Sequence, residues 1–165
     1  MNRFRRTILA ASLGLTLMSA PAMALAATDV TYAISGVEYA ATDTTGSFFG
    51  FALAADDYGT WLATIDHAAL PTSVNGTANI TGGAFALDGK IRDLAGAVDN
   101  GGLITLLTTS PCGKQTYSVV GALTLAGGAG SATFNAVLTH FRTLLRGRCI
   151  TFAATVKGAV AFHLN

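Results

Sequence analysis

The chain has 165 residues, 51% of them hydrophobic and 12% charged, with ten bases, nine acids and two cysteines. That length suits one domain with a sizeable core. Its nearly balanced charge excludes a partner held through a strongly basic surface, so no nucleic acid is expected as a ligand.

The chain opens MNRFRRTILAASLGLTLMSAPAMALA, with Arg3, Arg5 and Arg6, an apolar run over residues 8–18, then Pro21 and small residues. That order is a secretory signal peptide. The apolar run is about 11 residues, well short of the roughly 20 that a membrane-crossing helix needs. Arg5-Arg6 resembles part of a twin-arginine export signal, although the general secretory route fits better. Cleavage is expected after Ala24-Leu25-Ala26, which leaves residues 27–165 as a single secreted or periplasmic domain. Without the three leader arginines, that domain carries seven bases against nine acids, a formal charge of −2. The charge is unevenly spread: residues 28–89 hold seven acids and no base, whereas residues 90–165 hold seven bases and two acids.

Beyond the leader, apolar residues recur with period two between glycine, aspartate and asparagine breakers, and no helix-length amphipathic period appears. The expectation is all-β. Eight strands are expected, near residues 30–39, 48–54, 60–67, 79–87, 103–108, 115–125, 133–142 and 150–162. Most of the links are of hairpin length and no crossover helix separates them, which favours a small antiparallel barrel or a two-sheet sandwich. Gly36, Gly50, Gly82, Gly121 and Gly158 fall inside these strands, where glycine marks a bulge or a sharp bend. The stretch 88–102 is the longest link and the most charged, with Lys90, Arg92 and Asp93; a short helical turn or a lid is expected there. Gly59-Thr60-Trp61 resembles the glycine-x-tryptophan signature of lipocalin-type and avidin-type barrels, over three residues of the third strand.

Two phrases nearly repeat: TWLATIDHAAL at residues 60–70 and TFNAVLTHFRTL at residues 133–144. Thr60, Ala63 and His67 match Thr133, Ala136 and His140 at an offset of 73. Gly50 matches Gly121 one strand earlier, and Ile80-x-Gly82 matches Val156-x-Gly158 one strand later. Because the offset changes only across turns, two similar four-strand halves are expected.

Alternation puts Trp61, Ala63, Ile65 and His67 on one face, and Phe134, Ala136, Leu138, His140 and Arg142 on one face. The apolar members make that face the interior. Inward histidines need polar partners, water or a ligand. The expected site is therefore a barrel mouth lined by Trp61, His67, Tyr117, His140 and Arg142, converging on an apolar pocket. Asp66 points away from His67, so the adjacent pair forms no acid–base dyad within the strand. Cys112 and Cys149 are expected to form a disulfide once exported, since they lack the paired spacing of a zinc site. No cofactor or metal is expected. Asp56-Asp57 lies in a turn and reads as turn chemistry.

The reading favoured is a secreted soluble barrel that binds a small apolar ligand or a cell-surface partner without catalysis. One alternative is an isomerase-like or cyclase-like enzyme, with His67 or His140 moving the proton and Arg142 stabilising an anion. The other is a small outer-membrane barrel, disfavoured by the lack of aromatic girdles and by the carboxyl-terminal His163-Leu164-Asn165.

Overall fold

The computed structural model describes residues 28–165; the signal peptide expected over residues 1–26 lies outside them. The described residues form β1 (Thr28–Ala41), β2 (Thr45–Leu53), β3 (Tyr58–His67), β4 (Thr77–Gly89), β5 (Asp93–Val98), β6 (Leu103–Thr109), β7 (Lys114–Leu125), β8 (Gly130–Leu145) and β9 (Arg148–Leu164), with one 3₁₀ turn at Ala126–Gly128. Consecutive strands pair antiparallel except β5 and β6, which lie in line between β4 and β7, and β9 returns to β1. The sheet thereby closes into a barrel and leaves no long open edge. All eight expected strands are present, so the all-β barrel is correct and the sandwich is not formed.

The segment 88–102 departs from the expectation. It holds β5 rather than a helical turn or lid, and β5 lies in the wall between β4 and β7. β6 occupies the other half of the same gap, pairing Thr77–Asn79 of β4 and Gln115–Val120 of β7. β5 and β6 therefore act as one broken strand, which makes an eight-position barrel from nine strands. The break is at Asp99-Asn100-Gly101-Gly102, where Gly101 has φ 103°. Opposite it, β4 kinks at Gly82 and Gly83, with φ of 156° and 138°. Kinks on facing strands let a closed sheet turn a corner, and glycine permits them at low steric cost.

Other in-strand glycines make room instead of bending the chain. Gly36, Gly50 and Trp61 form one row across β1, β2 and β3, and a methyl group on Gly36 would stand 2.9 Å from the indole ring. Gly121 pairs with Phe134 across β7 and β8, where a methyl group would stand 2.4 Å from the phenyl ring. The far ends of these rings sit against bare backbone, which is how a narrow barrel accommodates them.

The end of the barrel that holds the β2–β3 and β4–β5 turns is sealed by a buried carboxylate. Asp57 accepts from the Tyr32 hydroxyl at 2.6 Å and from the amides of Tyr58, Ile91 and Arg92 at 2.8, 3.0 and 3.1 Å. Arg92 also grips Asp56 with both guanidinium nitrogens, at 3.2 and 2.7 Å. Tyr32 then packs edge-on against Phe162, and Phe162 against Phe85.

Candidate functional site

The opposite end carries the expected mouth. The carboxyl ends of β1, β3, β6 and β8 and the starts of β2, β4, β7 and β9 meet there, because the meander alternates direction. Both histidines are buried at this rim, as alternation requires. His67 Nδ1 lies 2.7 Å from the Ala68 carbonyl, and Asp66 accepts from Thr45 Oγ1 at 3.1 Å. The two adjacent residues thus serve different partners and no dyad forms between them.

His140 sits in a different company. Its ring meets Tyr117 edge-on, with centroids 5.4 Å apart, and its Nε2 lies 2.9 Å from Glu38 Oε2. The pair is at ion-pair distance but not aligned as a hydrogen bond, so Nε2 is buried without one. Burial of Tyr117 pushes its phenol above the ordinary range, an effect that the positive charge of Arg142 opposes and the carboxylate of Glu38 reinforces. Tyr117, His140 and Arg142 are therefore brought together, and Glu38 joins them. Glu38 was legible by phase, because Tyr32, Ile34, Gly36 and Glu38 alternate inward along β1. What hid it was distance in sequence, 102 residues from the histidine it meets.

Trp61 belongs elsewhere. Its indole N–H donates to the Phe51 carbonyl at 3.1 Å and reaches the Ser35 carbonyl at 3.3 Å, and its ring stacks on Phe85 at 6.5 Å. It is a member of the core. The loop at residues 68–76 leans over the mouth, with Leu70 packed on the core and backbone bonds between Asn75, Gly76 and Leu106.

Between the two ends the interior holds a cavity of about 50 Å³ with a wholly apolar lining that includes Trp61, Phe85, Phe134 and Leu138. Neither histidine lines it, nor do Tyr117 and Arg142. Pockets that bury drug-sized ligands run from roughly 300 Å³ upward. A cavity this small, with no polar partner in it, stays dry. Among the described residues no cluster of three histidine, cysteine or acidic side chains is placed to hold a metal ion.

Cys112 and Cys149 are bonded, with Cα atoms 4.9 Å apart, and link the β6–β7 turn to the start of β9. No helix among the described residues is long and apolar enough to cross a membrane.

These features define a closed antiparallel barrel with a packed apolar interior, one sealed end and one polar rim. No family model, curated protein or solved structure matches the chain.

Proposed function

We propose that the chain is an exported, non-catalytic binding module that works through its outer surface. The observation that carries this reading is the filled interior: a cavity of about 50 Å³ leaves no berth for a small apolar ligand or a substrate. A cell-surface partner is then the favoured form of the binding reading. The leader at residues 1–26 and the Cys112–Cys149 bond both support an oxidising extracytoplasmic compartment. Lys157 supports a barrel that stays out of the bilayer core. It is exposed in mid-wall, between Ser35 and Val137, where a membrane barrel would place a cation against lipid at a cost of about 2–4 kcal/mol. The apolar interior supports the same conclusion, since small membrane barrels keep their polar residues inside.

We also read the barrel as two similar four-strand halves. The Gly50–Trp61 and Gly121–Phe134 pairs lie four strand positions apart, where a duplicated unit would put them. One observation favours the enzyme reading as a second choice: the Glu38–His140 contact next to Tyr117 and Arg142 puts a carboxylate at ion-pair distance from an imidazole, the components of an acid–base pair.

Titration with an apolar fluorescent probe separates these readings. The surface reading expects no saturable uptake and no change in Trp61 emission. Saturable quenching of Trp61 would assign the interior to a ligand. His140→Gln is expected to leave binding to intact cell envelopes unchanged; loss of a measurable turnover in that variant would transfer the site to the enzyme reading.

A further inference from the structure

The tip of the β8–β9 hairpin stands beyond the barrel wall. β7 accompanies β8 only as far as Lys114 opposite Phe141, and β1 accompanies β9 only up to Val37 opposite Thr155. Beyond that, residues 142–145 pair only with residues 148–151. Four pairs at about 3.4 Å each project the tip by roughly 14 Å. Two links tie it to the β6–β7 turn: at the root the Arg142 amide donates to the Gly113 carbonyl at 3.1 Å, and nearer the tip Cys149, opposite Leu144, is bonded to Cys112.

Large apolar side chains on this tip are bare. Leu144 is 63% exposed, Leu145 54% and Ile150 38%, and Phe152 at the root beside Phe141 is 65% exposed. Alternation sends Leu144 to one face and Leu145 with Ile150 to the other, so both faces are apolar. The turn is Arg146-Gly147 and Arg148 follows it, while Lys114 lies 5.6 Å from the Phe141 ring at the root. No acid follows Asp99 in the chain, and none of these cations is within ion-pair distance of an acid among the described residues.

We infer that this hairpin is a docking wedge for an anionic phospholipid surface. Leu144, Leu145 and Ile150 enter the interface, and Arg146 and Arg148 meet the lipid phosphates. Elements that lie in the interface bury apolar side chains about 5–10 Å deep, within the reach of this tip. A medium that surrounds the tip covers both faces, whereas a flat protein surface covers one. A two-fold dimer through the tip would also set Arg146 and Arg148 against their own copies. The inference names the partner of the surface-binding reading and rests on it.

The test uses the exported, disulfide-bonded protein and sedimentation with vesicles. Vesicles of phosphatidylcholine with one quarter phosphatidylglycerol are expected to carry the protein down, and vesicles of phosphatidylcholine alone are not. Each surface arginine near an anionic bilayer contributes about 1 kcal/mol, so Arg146→Gln with Arg148→Gln is expected to weaken partition about 30-fold. Leu144→Ser with Leu145→Ser is expected to abolish it without moving the melting temperature, since both side chains are exposed. Equal binding by the arginine variant, or no binding to the anionic vesicles, overturns the lipid assignment. Concentration-dependent self-association that the same variants abolish also overturns it and assigns the tip to a second copy. Failure on vesicles with retained binding to cell envelopes sinks the lipid partner alone, while failure on both sinks the surface reading as well.

Discussion

Asp57 shows how one side chain couples the seal of the barrel to pH. Its carboxyl is held below the ordinary aspartate range, first by the Tyr32 hydroxyl and then by the backbone amides of Ile91, Tyr58 and Arg92, against the opposing effect of burial. A depressed folded-state pKa stabilises the fold above the unfolded value near 3.9, and that contribution is lost as pH falls through the folded value. Acid unfolding is therefore expected to set in below about pH 4, and Asp57→Asn is expected to flatten the slope of melting temperature against pH there. Tyr32 works in the other direction. Burial first, and the bond to Asp57 second, push its phenol up to about 12. That contribution is complete below the ordinary tyrosine value near 10 and is lost as pH rises towards 12. Tyr32→Phe should remove this alkaline loss and cost about 2 kcal/mol at neutral pH, the worth of a hydrogen bond to a charged group. The sequence marked Asp56-Asp57 as a turn but not as a seal. The donors come from residues 32, 58, 91 and 92, and only the closed barrel brings them to one point.

At the scale of the element, the row of a glycine beneath an aromatic ring is a paired design. Gly121→Ala would drive a methyl group into the Phe134 ring, and overpacking of this kind costs about 1–3 kcal/mol. Adding Phe134→Leu to that variant should recover part of the loss, a coupling that urea melts of the two single variants and the double variant will measure. The glycines at 36 and 121 were legible as special positions, yet the expectation was a bulge or a bend. A lone glycine in a strand has the same signature whether it bends the chain or makes room, and the ring that decides is on another strand. The disulfide is the second element-scale device. On the chain-entropy model, closure of its loop stabilises the fold by up to about 4 kcal/mol. With Cys112→Ser and Cys149→Ser together, lost hydrogen-exchange protection should be greatest at residues 142–151, which pair with no other strand.

At the scale of the whole molecule, packing and charge divide the barrel differently. The core is continuous from Tyr32 to Leu138, and its spare volume is small enough that one truncation changes its character. Phe85→Ala is expected to cost about 3–5 kcal/mol and to open a cavity of the order of 150 Å³, a size that admits benzene when apolar. Uptake of benzene by that variant but not by the parent protein, read by calorimetry, checks both statements. Charge follows the order of the chain instead. Seven acids lie before residue 90 and five bases after residue 100, and because a meander lays consecutive strands side by side, the two signs take opposite sides of the wall. Lys90 and Arg92 sit at the sealed end, where Arg92 is paired with Asp56 and stands 3.7 Å from Asp57.

The sequence by itself determined eight of the nine strands, their inward faces, the inward histidines and the disulfide. Those properties follow from a period of two and from the pairing of the two cysteines, which are local or arithmetical. Tertiary structure alone decided that β5 joins the wall, that Trp61 belongs to the core, that Glu38 meets His140 and that the interior keeps a cavity of only about 50 Å³. Register between distant strands settles the first three. The last depends on the summed volume of side chains from every strand against the radius of the closed sheet, and no window of sequence contains that sum.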